Sequence, residues 1–206
     1  MKTSKHAIFC LEGDWWNDMN RGSTVRPILE LVNQAPDQNI NYIHRDVGTV
    51  EEFEFYCRKW SQRRMSRYDI LYLAFHGSRD RGLHVGDQRR KNKGTTLEML
   101  APMLGTSLKG RIVHFGSCGT LRVDRRRLQK FLRETGLVAM TGYREDVDWL
   151  FSASFEVLLF DVLTRYPFTI RGMKQARDEL FHNHGAMCRR LDFRMEIRDR
   201  RVSVGT

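Results

Sequence analysis

Apolar residues fall along this chain in two rhythms, and the alternation between them lays out the fold. Residues 6–11 form a short apolar block, followed by a polar stretch over 13–22 that holds Asp14, Trp15 and Trp16. A helix is predicted from Thr24 to Gln34, with Pro27 in its first turn, where a missing amide hydrogen leaves no bond unmade. Residues 39–44 read as a second strand. Thr49 and Glu52 then spell a capping box, and Val50, Phe53, Tyr56, Cys57 and Trp60 recur at helical spacing to about Arg64. Residues 70–75 are a continuous apolar run, as expected for a strand buried on both faces. Strand, helix, strand, helix, strand is the order of a parallel sheet covered by helices.

Beyond that run the pattern becomes less regular. Residues 82–87 predict a short hairpin, 88–93 a charged loop and 96–104 a helix. A second fully apolar run, 112–116, predicts another buried strand. Asp124 is placed to cap a basic helix reaching Glu134, and 137–142 supplies a further strand whose exit loop is 143–148. Two helices follow over 149–166 and 170–187. In 191–197, Leu191, Phe193, Met195 and Ile197 alternate with charged residues, predicting a half-buried strand at a sheet edge. With no linker or repeat, residues 1–206 read as one α/β domain, 189–206 being a basic strand and tail.

The two fully apolar runs also carry the candidate chemistry. One runs into His76-Gly77, the other into Ser117-Cys118-Gly119. In open α/β sheets reactive groups collect beyond the carboxyl ends of the strands, so both residues are expected on one rim. A thiol beside an imidazole can give up its proton and become a nucleophile. Taken singly, each residue has an ordinary explanation: Cys118 as a small buried hydrophobe, His76 as a satisfied strand-end polar group. Occurring together at matched strand ends, each beside a glycine, they favour chemistry.

A hydrophobic block before His-Gly and a second before Ser-Cys resembles the caspase–haemoglobinase group of cysteine peptidases, which includes caspases, metacaspases, legumains, gingipains, separases and bacterial CHAT peptidases. The interval from His76 to Cys118 is 42 residues, near the roughly 50 of caspases. Gly116-Ser117-Cys118-Gly119-Thr120 departs from the caspase Gln-Ala-Cys-Arg-Gly, which places the chain nearer the prokaryotic, CHAT-like members. The resemblance implies a three-layer α/β/α sandwich with a mostly parallel central sheet, a Cys118 nucleophile, a His76 base oriented by a backbone carbonyl, and an oxyanion held by the amides of Gly77 and Cys118. It also implies an acidic pocket for Arg or Lys before the cut, with Asp14, Asp146 and Asp148 as candidate substrate-binding residues. Asp148 has a structural alternative as the cap of the helix beginning at Trp149.

Charge and cysteine content narrow the remaining classes. Net charge is +10, concentrated in 58–67, 79–93, 122–133 and 189–201. Surface arginines at this density usually form solvated faces, and no aromatic-interleaved basic stripe suggests single-strand binding. The resemblance implies a protein or peptide substrate and, because a free peptidase endangers its host, a regulatory protein partner. The alternative is a non-catalytic caspase-like module whose basic surface binds an acidic protein or nucleic acid. Cys10, Cys57, Cys118 and Cys188 contain no Cys-x-x-Cys pair, which points to a reducing cytoplasm; the resemblance to prokaryotic members implies a bacterial one. The apolar stretch 7–11 is too short for export or membrane spanning. His182, His184 and Cys188 lack a fourth ligand, so no metal is expected, nor any other cofactor. His84 is a substitute base, and His114 is expected to face packing.

Overall fold

The computed structural model describes residues 3–16, 20, 22–36, 39–86 and 94–199. Six strands make a mixed sheet: β1 (Thr3–Glu12), β2 (Asn39–Asp46), β3 (Ile70–Ala74), β6 (Ile112–Phe115), β7 (Ala139–Tyr143) and β8 (Phe193–Ile197), in the order β2-β1-β3-β6-β7-β8. All neighbours are parallel except β7 and β8, which pair antiparallel at the edge. The helices are α1 (Arg26–Asn33), α2 (Val50–Trp60), α3 (Leu97–Leu104), α4 (Arg125–Thr135), α5 (Trp149–Thr164), α6 (Ile170–Asn183) and α7 (Gly185–Arg190).

Alternation within the strands builds two cores. Ile8, Cys10, Ile70, Tyr72 and Ala74 face α1, α5 and α6, while Phe9, Leu11, Leu71, Leu73 and Phe75 face α2, α3 and α4. The fully buried β1 and β3 runs are apolar on both sides for this reason. Helices therefore flank the mostly parallel sheet on each face, an arrangement compatible with the expected three layers. Among the described residues no helix is long and apolar enough to cross a membrane.

The capping predictions meet local chemistry. The Thr49 hydroxyl accepts from the Glu52 amide at 3.2 Å, although the Glu52 carboxylate reaches back to the amide of Gly48. Asp124 accepts from the amide of Arg126. At α1 the N-cap is Val25, one residue later than Thr24, and no side chain caps it.

Two element predictions need correction. The hairpin pairs β4 (Gly77–Ser78) with β5 (Gly82–Leu83) instead of lying within 82–87, and Asp87 and the loop 88–93 fall outside the described residues. Leu83 anchors it, being fully buried and bonded to Thr95 in both directions. The predicted helix 170–187 is interrupted at His184, whose backbone (φ −126°, ψ 24°) leaves the helical region. The chain then restarts at Gly185, and Cys188 and Leu191 are brought down onto the core.

Candidate active site

Register delivers the two motif ends to one place. Leu73 of β3 is paired with Phe115 of β6, and the ladder continues one step further, the Gly116 amide donating to the Leu73 carbonyl at 3.0 Å. His76 and Cys118 each follow three residues later. Gly77 is packed against the turn that carries Cys118: a Cβ there would lie 2.8 Å from the Cys118 carbonyl oxygen and press on Thr120 Oγ1. Only glycine allows this approach. Gly119, with φ +61°, turns the chain away, and its amide donates to the Glu145 carbonyl at 3.2 Å, fastening the turn to the loop after β7.

His76 is exposed and boxed by tryptophans. Its Nε2 is hydrogen-bonded to the backbone carbonyl of Trp15. A carbonyl only accepts, so Nε2 carries the hydrogen and the neutral ring's lone pair lies on Nδ1. The Trp15 and Trp16 rings meet the imidazole edge-on, with centroids at 5.3 and 6.4 Å. His84 is engaged elsewhere: its Nε2 is 3.1 Å from Ser78 Oγ and its amide donates to the His76 carbonyl. His84 therefore shapes the hairpin behind His76. Burial, with the neighbouring His76 and Arg81, lowers its pKa.

Cys118 is half-buried, while Cys10, Cys57 and Cys188 are buried. Burial pushes the Cys118 thiol's pKa up and the charge of Asp146 adds to this, opposed by the Val147 amide, which lies 3.5 Å from Sγ. Burial thus disfavours the thiolate at rest. Beneath it, Ser117 and Thr120 share a hydroxyl hydrogen bond of 2.7 Å, and Thr120 also donates to the Cys118 carbonyl.

His76 and Cys118 line the same cleft, of about 380 Å³. Its walls include Trp15, Trp16, Tyr72 and Trp149, and its carboxylates are Asp148 and Glu156. Asp148 also caps α5, Oδ1 accepting from the Phe151 amide at 2.8 Å, so both readings of this residue hold geometrically. Asp146 is exposed on the same loop and is not among the residues lining the cleft. Asp14, likewise outside the lining, is exposed and accepts from the Trp16 amide, shaping its own turn.

Two acids at the site escape the sequence patterns. Glu156 interrupts an apolar stretch of α5, and its carboxylate is bonded by the Tyr72 hydroxyl at 2.5 Å, the Tyr143 hydroxyl at 3.1 Å and His114 Nε2 at 3.2 Å. His114 itself is fully buried, as expected of a packing residue. Glu12 ends β1 and is 3% exposed. A lone acid closing an apolar strand is visible in the sequence, but nothing local marks it as a point where donors converge.

The chain belongs to a family of unknown function, DUF6642. The family model matches residues 5–196, which takes in His76 and Cys118 and all of the sheet but the first two residues of β1 and the last of β8. No curated protein matches the chain.

Proposed function

We propose that the protein is a caspase-like cysteine endopeptidase of the bacterial cytoplasm that cleaves after Arg or Lys. The observation that carries this reading is the delivery of His76 and Cys118 to one cleft by neighbouring parallel strands in matched register. The mostly parallel sheet with helices on each face supports the caspase-like assignment, and four free thiols fit a reducing compartment.

In this mechanism His76 Nδ1 takes the Cys118 proton as sulfur bonds to the scissile carbonyl carbon. The oxygen that gains charge is met by the amides of Gly77 and Cys118. The imidazolium then gives its proton to the departing nitrogen as the carbon–nitrogen bond breaks. Water hydrolyses the resulting thioester, releasing the acid and restoring the thiol. Because burial disfavours the thiolate, the nucleophile forms as the imidazole acts, and a protein partner that shifts the loop 144–148 would control that step.

Indole walls with carboxylates at Asp148 and Glu156 suit a long side chain ending in a cation, its stem against the rings and its charge near the acids. A peptidyl warhead with Arg at the cleaved position is expected to label wild type but neither Cys118→Ala nor His76→Ala. Equal labelling of wild type and His76→Ala, or a preference for Asp or apolar peptides, would reject the respective half of the proposal.

The non-catalytic alternative has one observation of its own, a groove of about 640 Å³ edged by Arg125, Lys174, Arg177 and Arg198 beside β8. Glu196 and Asp199 share that groove, and Arg125 is bonded to Glu196 at 3.0 Å, so much of its charge is already answered. Salt-sensitive retention of an acidic peptide or a nucleic acid, with no warhead labelling, would favour this reading.

A further inference from the structure

The loop after β1 is fastened at both ends to one buried carboxylate. Glu12 Oε1 accepts from the Trp15 indole at 2.6 Å and from the Val25 amide at 2.8 Å. Its Oε2 accepts from the Thr24 hydroxyl at 2.7 Å and from His44 Nε2 at 2.6 Å. A carboxylate offers about four lone-pair positions, and here all are taken. Burial pushes the Glu12 pKa up, but the bonds from His44, Trp15, Thr24 and Val25 outweigh it and hold the group below its ordinary value.

Glu12, His44 and Asp46 stand close enough together to suggest a metal site. The Arg26 guanidinium already fills that role, reaching His44 Nδ1 at 3.2 Å and Asp46 at 3.1 Å. With Nδ1 accepting from Arg26, His44 donates to Glu12 through Nε2. Glu12 therefore has no lone pair to spare for a metal ion.

A buried charge is a costly way to hold a loop, and apolar packing would do so at least as well. What the charge adds is direction. One of its two partners at 2.6 Å is Trp15, the residue whose carbonyl receives His76 Nε2 and whose ring flanks the imidazole. We propose that Glu12 is a positioning residue for His76, acting through Trp15 to fix which imidazole nitrogen carries the hydrogen and which faces the thiol. This rests on the peptidase reading of His76 and Cys118.

The test is the pH profile of Cys118 alkylation by iodoacetamide, which needs no peptide substrate, in full-length wild type, His76→Ala, Glu12→Gln and Trp15→Phe, with thermal unfolding of each. His76→Ala is expected to slow alkylation at neutral pH and move the profile to more alkaline pH. Glu12→Gln keeps the shape but sets amide hydrogens against indole or imidazole donors; it should reproduce that shift, with a loss on the order of ten- to a hundredfold at neutral pH, as when a histidine's orienting partner is lost. Trp15→Phe, which removes only the indole and its donor, should move the profile the same way and decides the matter if Glu12→Gln does not fold. A Glu12→Gln or Trp15→Phe protein that melts lower yet keeps the wild-type profile, while His76→Ala shifts, overturns the positioning role and leaves the dyad standing. An unmoved His76→Ala profile removes the dyad and the proposal with it.

Discussion

Four thiols sit in this chain, and only one is placed to react. Burial raises the pKa of Cys10 and Cys57 far above the ordinary thiol range and that of Cys188 to about 11, whereas Cys118 is half-buried at the cleft. Brief iodoacetamide treatment of native protein should add a single group, mapped to Cys118 by peptide mass. Because its pKa is raised, the unassisted thiolate should form at more alkaline pH than in a free cysteine. Modification of Cys10, Cys57 or Cys188 at a comparable rate would contradict this ordering. Gly77 provides a second residue-scale check. A methyl there meets backbone at the Cys118 carbonyl, which cannot swing aside as a side chain would. Gly77→Ala is expected to destabilise by about 1–3 kcal/mol and to abolish warhead labelling, read by thermal unfolding and mass spectrometry. His76 and Cys118 were legible as strand-end residues. Glu12 was not singled out, because nothing local says that four donors from β2 and the loop converge on it.

At the scale of elements, Asp148 joins a helix cap to the cleft, and the two roles are separable. Asn caps helices about as well as Asp, so Asp148→Asn should leave the melting temperature close to wild type while weakening the preference for Arg and Lys peptides. Asp148→Ala should weaken that preference equally and cost a further ~1 kcal/mol of stability. A basic preference unchanged in both would remove Asp148 from the proposed recognition of Arg or Lys. Strands and caps were readable because their signals are local: apolar runs, Thr49 before Glu52, Asp124 before a basic helix. The hairpin was misplaced because its position depends on Leu83 finding Thr95 across the chain, a contact without sequence periodicity. The break at His184 was likewise hidden, since the apolar spacing of α6 carries on through it while the direction changes.

For the molecule as a whole, the two cores on opposite sheet faces fix the rim where the site lies, and the surface arginines lace the outer helices together. Arg127 of α4 grips Glu98 of α3 through two bonds of 3.0 Å, and Arg165 holds Glu179 across α5 and α6. Arg122 pairs with Glu145 and Arg144 with Asp192. These pairs answer part of the arginine charge on the described surface. The Glu98 pKa is lowered to about 2, chiefly by its Arg127 bonds, from 4.5. A depressed acid stabilises the fold above its unfolded pKa and loses that contribution as pH falls through the folded value. Glu98 is largely exposed, so the contribution is less than about 1 kcal/mol. Melting temperatures of wild type and Glu98→Gln should therefore differ slightly at neutral pH and converge as pH falls from about 4.5 to 2. A gap that persists at the acid end would assign the difference to packing instead of charge.

The linear chain by itself determined the α/β class and most of the order of strands and helices, and singled out His76 and Cys118 as candidates, because period, capping residues and strand-end position are properties of neighbours a few residues apart. Tertiary structure alone decided that β3 and β6 lie side by side, that Glu156 of α5 rises into the cleft, and that Glu12 holds Trp15 against the imidazole. Those facts depend on segments tens of residues apart being brought together by burial on both faces of one sheet. The hydrophobic pattern drives that burial, but it does not specify which polar groups meet inside it.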